Sequence, residues 1–283
     1  MKIAITCDSV CDLSQELIKQ NNISILPISI ILGDETFSDG VNINSQKIFD
    51  YVAKNKQLPK TSAINEFQYA EFFKEHLDGV DALIHFTISS DMSSCFNNAK
   101  KAASTLKNVY VSDSRNLSTG VGLQVLYACM LRDKGEKPEN IVKKVEARKQ
   151  FVQASFVVER LDYLYKGGRC SALQLLGANL LKIRPSIIVK NGKMDVHKKY
   201  RGKMKDVVKD YIKDTLNEFN TYDKSICFIT YSSATEDMVE AAKSTLKEFA
   251  NFENVYITTA GATVTSHCGE NTLGILYFNN VEK

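Results

Sequence analysis

The sequence lacks the features of a membrane or exported protein. No apolar run reaches the roughly 18–20 residues that a membrane-spanning helix requires. The N-terminal segment MKIAITCDSV has no long apolar core of the kind that a signal peptide contains, and it predicts a first β-strand instead. We therefore expect a cytoplasmic protein without a transmembrane segment.

An excess of charge of either sign is also missing. The 36 Lys and Arg residues nearly balance the 33 Asp and Glu residues, which leaves a net charge of +3. No basic block is dense enough to predict nucleic-acid binding. The 283 residues are 44% hydrophobic and 24% charged, an ordinary composition for a globular protein of one large or two medium domains.

Several motifs that would point to a cofactor are absent. There is no P-loop, and STGVGLQV has two glycines at the dinucleotide-binding spacing but lacks the third. The seven cysteines are scattered, as expected for free thiols in a reducing compartment. Cys7 and Cys11 do not form a CxxC pair, and no second Cys or His pair has zinc-like spacing. We predict no metal site and no cofactor.

Strand-like and helix-like segments alternate along the first half of the chain. Apolar runs such as KIAITCD and DALIHFTIS alternate with segments of helical periodicity such as NEFQYAEFFKEHL. This order is typical of parallel β-α units that cover both faces of a sheet. Residues 1–152 are therefore predicted to form a lobe with a Rossmann-like parallel sheet and helices on both faces.

The pattern changes after residue 152. RPSIIVKNGKMDVHKKYRG predicts a hairpin with Asn191-Gly192 at its turn, and KMKDVVKDYIKDTLNEF predicts a long helix. NVYITTAG, ATVTSHCG and NTLGILYF predict three further strands. Residues 153–283 are therefore expected to form an α/β lobe with a mixed or antiparallel sheet and helices. The predicted fold class is α/β with two closely packed lobes, because no flexible linker separates them.

Small hydroxyl side chains cluster where predicted strands of the first lobe end. HFTISSDMSSCFNNAKKA includes Ser93 and Ser94 after an apolar strand, and PKTSAINEF adds Thr61 and Ser62 at the start of a helix. Each of them alone fits a helix N-cap. Their excess favours a site for a carboxylate or phosphate, because ligands of open α/β sheets bind beyond the carboxyl ends of the strands and an anion accepts several hydrogen bonds at once.

Candidate cations for such an anion come from the second lobe. KGGRCS places Arg169 beside a glycine pair, KIRP contains Lys182 and Arg184, KKYRGK ends the hairpin with Arg201, and TSHCGENTLG places His267 in a glycine-flanked loop after a strand. Each alone is also typical of a solvated or structural residue. A glycine-rich turn beside Arg and His would let the backbone approach an anion closely.

The order and spacing of seven segments resemble the DegV family, whose members include the fatty-acid-binding carrier subunits of bacterial fatty-acid kinase. The segments together span nearly the whole chain. They are CDSVCDL at 7–13, PKTS at 59–62, ISSDMSSCFNNA at 88–99, VSDSRNLSTGVG at 111–122, LDYLYKGGRCS at 161–171, KIRP at 182–185 and HCGENTLG at 267–274.

The resemblance implies a two-lobe fold that encloses one long-chain fatty acid, such as a C14–C18 acid, at the lobe junction. It also implies that a partner ATP-dependent fatty-acid kinase phosphorylates the carboxylate to an acyl phosphate. The chain is therefore expected to be a lipid-binding carrier with no catalytic residue. The implied ligand-binding residues are Thr61, Ser62, Ser93, Ser94, Ser118, Arg169 and His267. The residues implied to handle the partner or the phosphate are Arg169, Arg201 and His267.

Three segments depart from the usual pattern of that family. Ser93-Ser94-Cys95 stands where Ser-Gly-Thr is usual, Thr61-Ser62-Ala63-Ile64 where Thr-Ser-Gln-Pro is usual, and Gly269-Glu270-Asn271 where Gly-Pro-Gly is usual. Glu270 adds a negative charge close to the expected anion site. An acyl chain also needs an apolar lining, and ALQLLGANLL and RPSIIV are candidates for it.

The residues themselves leave two other functions open. A stand-alone serine hydrolase would use Ser93 with His267 as its base, although the chain has no G-x-S-x-G motif. A small phosphate- or sugar-binding enzyme of the Rossmann type would use the glycines of STGVGLQV.

Overall fold

The computed structural model describes residues 1–170 and 183–280. The strands are β1 Ile3–Asp8, β2 Ile23–Leu26, β3 Ser29–Leu32, β4 Glu35–Ser38, β5 Lys60–Ser62, β6 Ala82–Thr87, β7 Val109–Asp113, β8 Val152–Val157, β9 Arg184–Lys190, β10 Lys193–Tyr200, β11 Tyr222–Tyr231, β12 Asn254–Thr259 and β13 Leu273–Asn279. The helices are α1 Gln15–Gln20, α2 Ser45–Asn55, α3 Glu66–Leu77, α4 Cys95–Ala103, α5 Thr119–Asp133, α6 Pro138–Arg148, α7 Asp162–Gly167, α8 Met204–Glu218, α9 Glu236–Phe249 and α10 Ala262–Cys268. Among the described residues, no helix is long and apolar enough to cross a membrane.

A parallel sheet of four strands organises the N-terminal part, in the order β2-β1-β6-β7. From β1 the chain first adds β2 on one side and later adds β6 on the other side. The direction of winding therefore reverses between β1 and β6. Ligands of open α/β sheets bind beyond the carboxyl ends of strands at such a reversal, and here those ends are Asp8 and Thr87.

The segment between β2 and β6 forms a small antiparallel sheet with the order β4-β3-β5. Its strand β5 carries Thr61 and Ser62. The predicted helix start at these two residues is wrong. Helix α3 begins at Glu66, because Asn65 caps it and exchanges hydrogen bonds with Gln68 in a capping box.

The third sheet has the order β10-β9-β8-β13-β11-β12 within the described residues. Neighbouring strands are antiparallel except for β11 and β12, which are parallel, so the predicted mixed sheet is confirmed. The hairpin of β9 and β10 is also confirmed. Its turn residues Asn191 and Gly192 both have positive φ angles, 52° and 80°, as an Asn-Gly turn requires.

One of the three strands predicted near the C-terminus is a helix. ATVTSHCG forms α10, so His267 lies in the last turn of a helix rather than in a loop after a strand. The β-branched residues Thr263, Val264 and Thr265 favour a strand locally. The helix forms because two carboxylates from the distant N-terminal part satisfy its first backbone N–H groups, a contact that local sequence does not reveal.

A continuous hydrophobic cluster joins the parallel sheet to the six-stranded sheet. Helix α5 is almost wholly buried and packs against β1, β8 and β13. The cluster therefore includes Ile5 and Phe86 from one sheet and Phe156 and Leu276 from the other. A second cluster lies beneath α8 and α9. The predicted α/β class is thus confirmed, and the division of the chain between residues 152 and 153 stays a prediction.

Candidate functional site

A cavity of about 440 Å³ opens between the six-stranded sheet, strand β5, helix α10 and the loops that follow the parallel strands. Its volume lies in the range of small-molecule sites. Its walls come from both halves of the chain. They include all seven residues named above as ligand-binding: Thr61, Ser62, Ser93, Ser94, Ser118, Arg169 and His267.

Thr61 and His267 form a hydrogen-bonded pair at the wall of this cavity. The Thr61 Oγ1 atom lies 2.9 Å from His267 Nε2, although the residues are 206 positions apart. Strand β5 positions the threonine, and α10 positions the histidine. The other ring nitrogen, Nδ1, is buried without a partner among the described residues. It faces the backbone of Gly167, where a Cβ atom would lie only 2.7 Å away.

The His267 ring is neutral at physiological pH. Burial, and to a smaller extent the positive charge of Arg169, together lower the pKa of His267 to about 4. The ring can therefore orient the Thr61 hydroxyl without adding a positive charge to the site. A neutral imidazole that donates from Nε2 leaves the Thr61 proton free for a ligand oxygen.

Ser93 precedes α4 and is half-buried at the cavity wall. Its Oγ accepts a hydrogen bond from the Cys95 backbone N–H at 3.3 Å and donates to Cys95 Sγ at 3.2 Å. Burial raises the pKa of the Cys95 thiol to about 11, so the sulfur stays protonated. Sulfur is a weak acceptor, and the Ser93 proton can turn to a ligand oxygen at little cost.

The serine-rich segment after β6 divides between two tasks. Ser93 and Ser94 line the cavity. Ser89 donates to the backbone oxygen of Gly192 at 2.7 Å, and Ser90 accepts from the Arg115 guanidinium at 2.9 Å. These two serines thus help to hold the β9–β10 hairpin against the first sheet. Ser94 occupies the N-cap position of α4, but its side chain makes no capping hydrogen bond.

Ser118 lines the cavity, but its hydroxyl is already engaged. It donates to Asp12 Oδ2 at 2.5 Å. Asp12 also accepts from the Gly261 backbone N–H at 2.8 Å. Burial raises the pKa of Asp12 to about 7, although its two hydrogen bonds act in the opposite direction. Asp12 therefore links the start of α5 to the start of α10.

Asp39 completes the cap of α10. Its carboxylate accepts from the backbone N–H groups of Ala262 at 2.8 Å and Thr263 at 3.2 Å, and from Ser9 Oγ at 2.9 Å. Asp12 and Asp39 were not among the predicted site residues. The signal that could have suggested them is Gly261 followed by small β-branched residues, a sequence that needs outside acceptors to become helical.

The two predicted arginines occupy different places. Arg169 is exposed at the cavity, where its Nη1 donates to the Gly167 backbone oxygen at 2.6 Å. Arg201 is exposed just after β10 and does not line the cavity. Lys182 lies outside the described residues. Arg184 pairs with Glu159 at 3.3 Å.

Apolar side chains form much of the remaining wall. RPSIIV forms β9, and none of its residues lines the cavity, so that candidate lining is wrong. ALQLLGANLL lies outside the described residues. The apolar lining comes from strands of the six-stranded sheet, from helices α7 and α10 and from loops of the N-terminal half: Ile28, Ile88, Met92, Leu117, Phe156, Leu164, Met194, Val264 and Leu276.

Comparison with known proteins agrees with this architecture. The family model described as "Uncharacterised protein, DegV family" matches residues 2–280. The chain belongs to the DegV family. A DegV domain-containing protein of Clostridium perfringens is 30% identical over 280 residues, which cover 98% of each chain.

Two solved structures show the same fold. One is described as fatty acid binding of a DegV family protein from Thermus thermophilus; it has a TM-score of 0.92 and 25% identity, and the match covers 99% of this chain and 100% of that one. The other is described as a stearic acid-binding protein from Eubacterium ventriosum, with a TM-score of 0.86, 26% identity and 98% of each chain covered. The resemblance drawn from sequence is thus confirmed at the level of the DegV family.

The three departures from the usual DegV pattern have different surroundings. Cys95 is fully buried behind Ser93, and Ala63 lines the cavity. Glu270 does not line it; its carboxylate lies 3.5 Å from the Arg160 guanidinium, which also pairs with Asp162 at 2.8 Å. The extra negative charge near the expected anion site therefore has a cationic partner.

The geometry of the alternative functions is not present in the described residues. His267 hydrogen-bonds Thr61, and the hydroxyl of Ser93 is engaged with Cys95 instead, so the Ser-His pair of a hydrolase is not formed. Gly120 and Gly122 serve close packing, since a Cβ atom on either would collide with Asn116 or Leu13. No metal-ligand cluster occurs in residues 1–170 and 183–280.

Proposed function

We propose that this protein encloses one long-chain fatty acid, of about C14–C18 length, and presents its carboxylate to a partner kinase. The observation that carries the proposal is a cavity whose wall combines the hydrogen-bonded Thr61–His267 pair and the Ser93 hydroxyl with many apolar side chains. The solved relatives described as fatty-acid-binding and stearic acid-binding proteins support the ligand class.

The carboxylate would accept hydrogen bonds from Thr61 and Ser93. A buried carboxylate needs such donors, because burying it without partners is very costly. His267 holds the Thr61 hydroxyl in place, and the Ser93 proton turns from a sulfur atom to the ligand. Ser62 and Ser94 are exposed at the same wall and would add donors from the solvent side.

The alkyl tail would supply most of the affinity. Each buried methylene contributes about 0.8 kcal/mol, so a long chain gains on the order of 10 kcal/mol before ordering costs are subtracted. The neutral hydroxyl donors then only have to offset the cost of removing the carboxylate from water. A carboxylate held this way remains available for transfer, whereas a buried arginine clamp would retain it.

Presentation would take place at the exposed rim. Arg169 lies at the cavity and Arg201 lies on the surface, and both are free of the buried hydroxyl pair. On the partner kinase, a carboxylate oxygen would attack the γ-phosphorus of ATP, which forms an acyl phosphate and releases ADP. The two arginines would then contact the phosphate or the kinase. The carrier itself would position the carboxylate and exclude water from the acyl chain.

Replacement of Ser93 tests how the head group is held. Ser93→Ala removes one donor and is expected to weaken palmitic acid binding about five- to thirtyfold, since a hydrogen bond to a charged group contributes about 1–2 kcal/mol. The binding constant would be measured by calorimetry, and acyl-phosphate formation would be followed with an added fatty-acid kinase.

Ser104→Ala is the matched control, because Ser104 is exposed at the far end of α4. It should leave both quantities unchanged. Equal palmitic acid affinity and equal acyl-phosphate yield in the wild type and in Ser93→Ala would contradict the proposed role of this hydroxyl.

A further inference from the structure

The cavity contains one buried hydroxyl that nothing in the described part of the chain satisfies. Thr263 is 5% exposed, lines the cavity, and its Oγ1 atom has no hydrogen-bond partner among the described residues. Its position is fixed, because its backbone N–H donates to Asp39 and the residue lies in the first turn of α10. No helix carbonyl four positions earlier is available to it there.

The other buried hydroxyls of the same wall are engaged. Thr230 Oγ1 lies 2.8 Å from Thr119 Oγ1 and 2.9 Å from Thr258 Oγ1. Thr272 donates to the Cys268 backbone oxygen at 2.9 Å, and Ser232 donates to the Gly269 backbone oxygen. An alkyl chain could pass these groups without loss. Beside Thr263 it would leave a buried donor unsatisfied, which disfavours binding.

Thr263 lies one helical turn before His267, which belongs to the proposed head-group site. It precedes His267 by four residues on α10, so the two side chains lie on one helix face about 6 Å apart. A carboxylate beside Thr61 and Ser93 would therefore bring Thr263 close to roughly the fourth to sixth carbon of an extended chain, which advances about 1.2 Å per bond. The neighbouring lining residues Ile28, Ala260 and Val264 are apolar.

We infer that the preferred ligand is a fatty acid with an oxygen function, a hydroxyl or a keto group, near the fifth carbon, and that Thr263 recognises this oxygen. The inference rests on the proposed fatty-acid binding and narrows its ligand class. An oxygen at this position completes the hydrogen bonding of Thr263, whereas a plain saturated chain leaves it incomplete. Thr263 is then a specificity-determining residue.

The test compares palmitic acid with hydroxypalmitic acids that carry the hydroxyl at the fifth or at the last carbon. Binding constants would be measured on delipidated wild type, Thr263→Val and Thr263→Ser. Valine matches the shape of threonine without the hydroxyl, and serine keeps the hydroxyl. Denaturant unfolding of each variant would establish that it is folded.

The wild type is expected to bind the fifth-carbon hydroxy acid about tenfold more tightly than Thr263→Val does, which corresponds to about 1.4 kcal/mol. Thr263→Ser should keep most of this preference, and Thr263→Val should bind palmitic acid at least as tightly as the wild type. The acid with its hydroxyl at the last carbon should bind no more tightly than palmitic acid to the wild type or to either variant.

Two results would overturn the inference. In the first, palmitic acid binds, but the wild type binds the two hydroxy acids with equal affinity, or Thr263→Val keeps the same preference as the wild type. Thr263 then does not recognise a ligand oxygen. If no fatty acid of either kind binds to the folded wild type, the proposed function itself fails and the inference fails with it.

Discussion

Single residues at the cavity carry their function through protonation state and not through charge. His267 is neutral because its ring is buried beside Arg169, and Asp12 holds its proton up to a pKa of about 7 because it too is buried. Thr61, Ser93 and Thr263 have no charge to lose. The site can therefore receive an anion without breaking an ion pair, which agrees with the proposed transfer of the ligand to a kinase.

Because His267 is neutral in the folded protein, the free energy of unfolding should depend on pH. The unfolded chain takes up a proton on this residue as the pH falls through 6.5, whereas the folded protein resists it until about 4. The stability gained from the neutral ring is present above pH 6.5 and is lost as the pH falls toward 4. The advantage of the wild type over His267→Gln in unfolding free energy should therefore shrink by about 3 kcal/mol between pH 7 and pH 4.

Urea unfolding of both proteins at several pH values measures this difference. The comparison with the variant is necessary because Asp12 acts in the opposite direction. Its raised pKa stabilises the folded state below 3.8 and that contribution is lost as the pH rises toward 7. Asp12 is common to both proteins and cancels in the difference. A difference that stays constant with pH would show that His267 is not held neutral by the fold.

At the scale of elements, α10 shows where prediction from sequence fails. Its residues favour a strand, and the acceptors that make it a helix lie more than 220 positions away, since 223 positions separate Asp39 from Ala262. The parallel strands of the first half and the Asn191-Gly192 turn depend on local signals, and both were predicted at their observed places. Long-range capping leaves no such local signal.

Asp39 is therefore expected to stabilise α10 and the site together. Asp39→Ala removes the acceptor of two α10 backbone N–H groups and of the Ser9 hydroxyl. Leaving these donors buried without partners should lower the unfolding free energy by about 2–4 kcal/mol. Palmitic acid affinity should fall as well, because His267 and Thr263 both lie on this helix.

Denaturant unfolding and calorimetry would measure the two effects. Asp34→Ala, in the exposed turn between β3 and β4, is the matched control, and it should change stability by no more than about 0.5 kcal/mol. If Asp39→Ala were as stable as that control and bound palmitic acid normally, α10 would not depend on its cap.

At the scale of the whole molecule, the site exists only because the two halves of the chain pack together. Thr61 and Ser93 come from the N-terminal half, and His267 and Thr263 come from the C-terminal half. Sequence reasoning identified the hydroxyls and the histidine as candidates. It could not find the Thr61–His267 contact, the exclusion of Arg201 from the cavity or the unsatisfied Thr263, since these depend on how the halves pack.

The most direct measurement is native mass spectrometry of the purified, delipidated protein with an equimolar amount of palmitic acid. The proposed enclosed cavity predicts one bound acid per chain, and Ser93→Ala should show lower occupancy at the same concentration. A folded wild type that shows no bound acid, or that takes up several weakly held acids with equal occupancy in Ser93→Ala, would contradict a single cavity that holds the carboxylate on neutral hydroxyls.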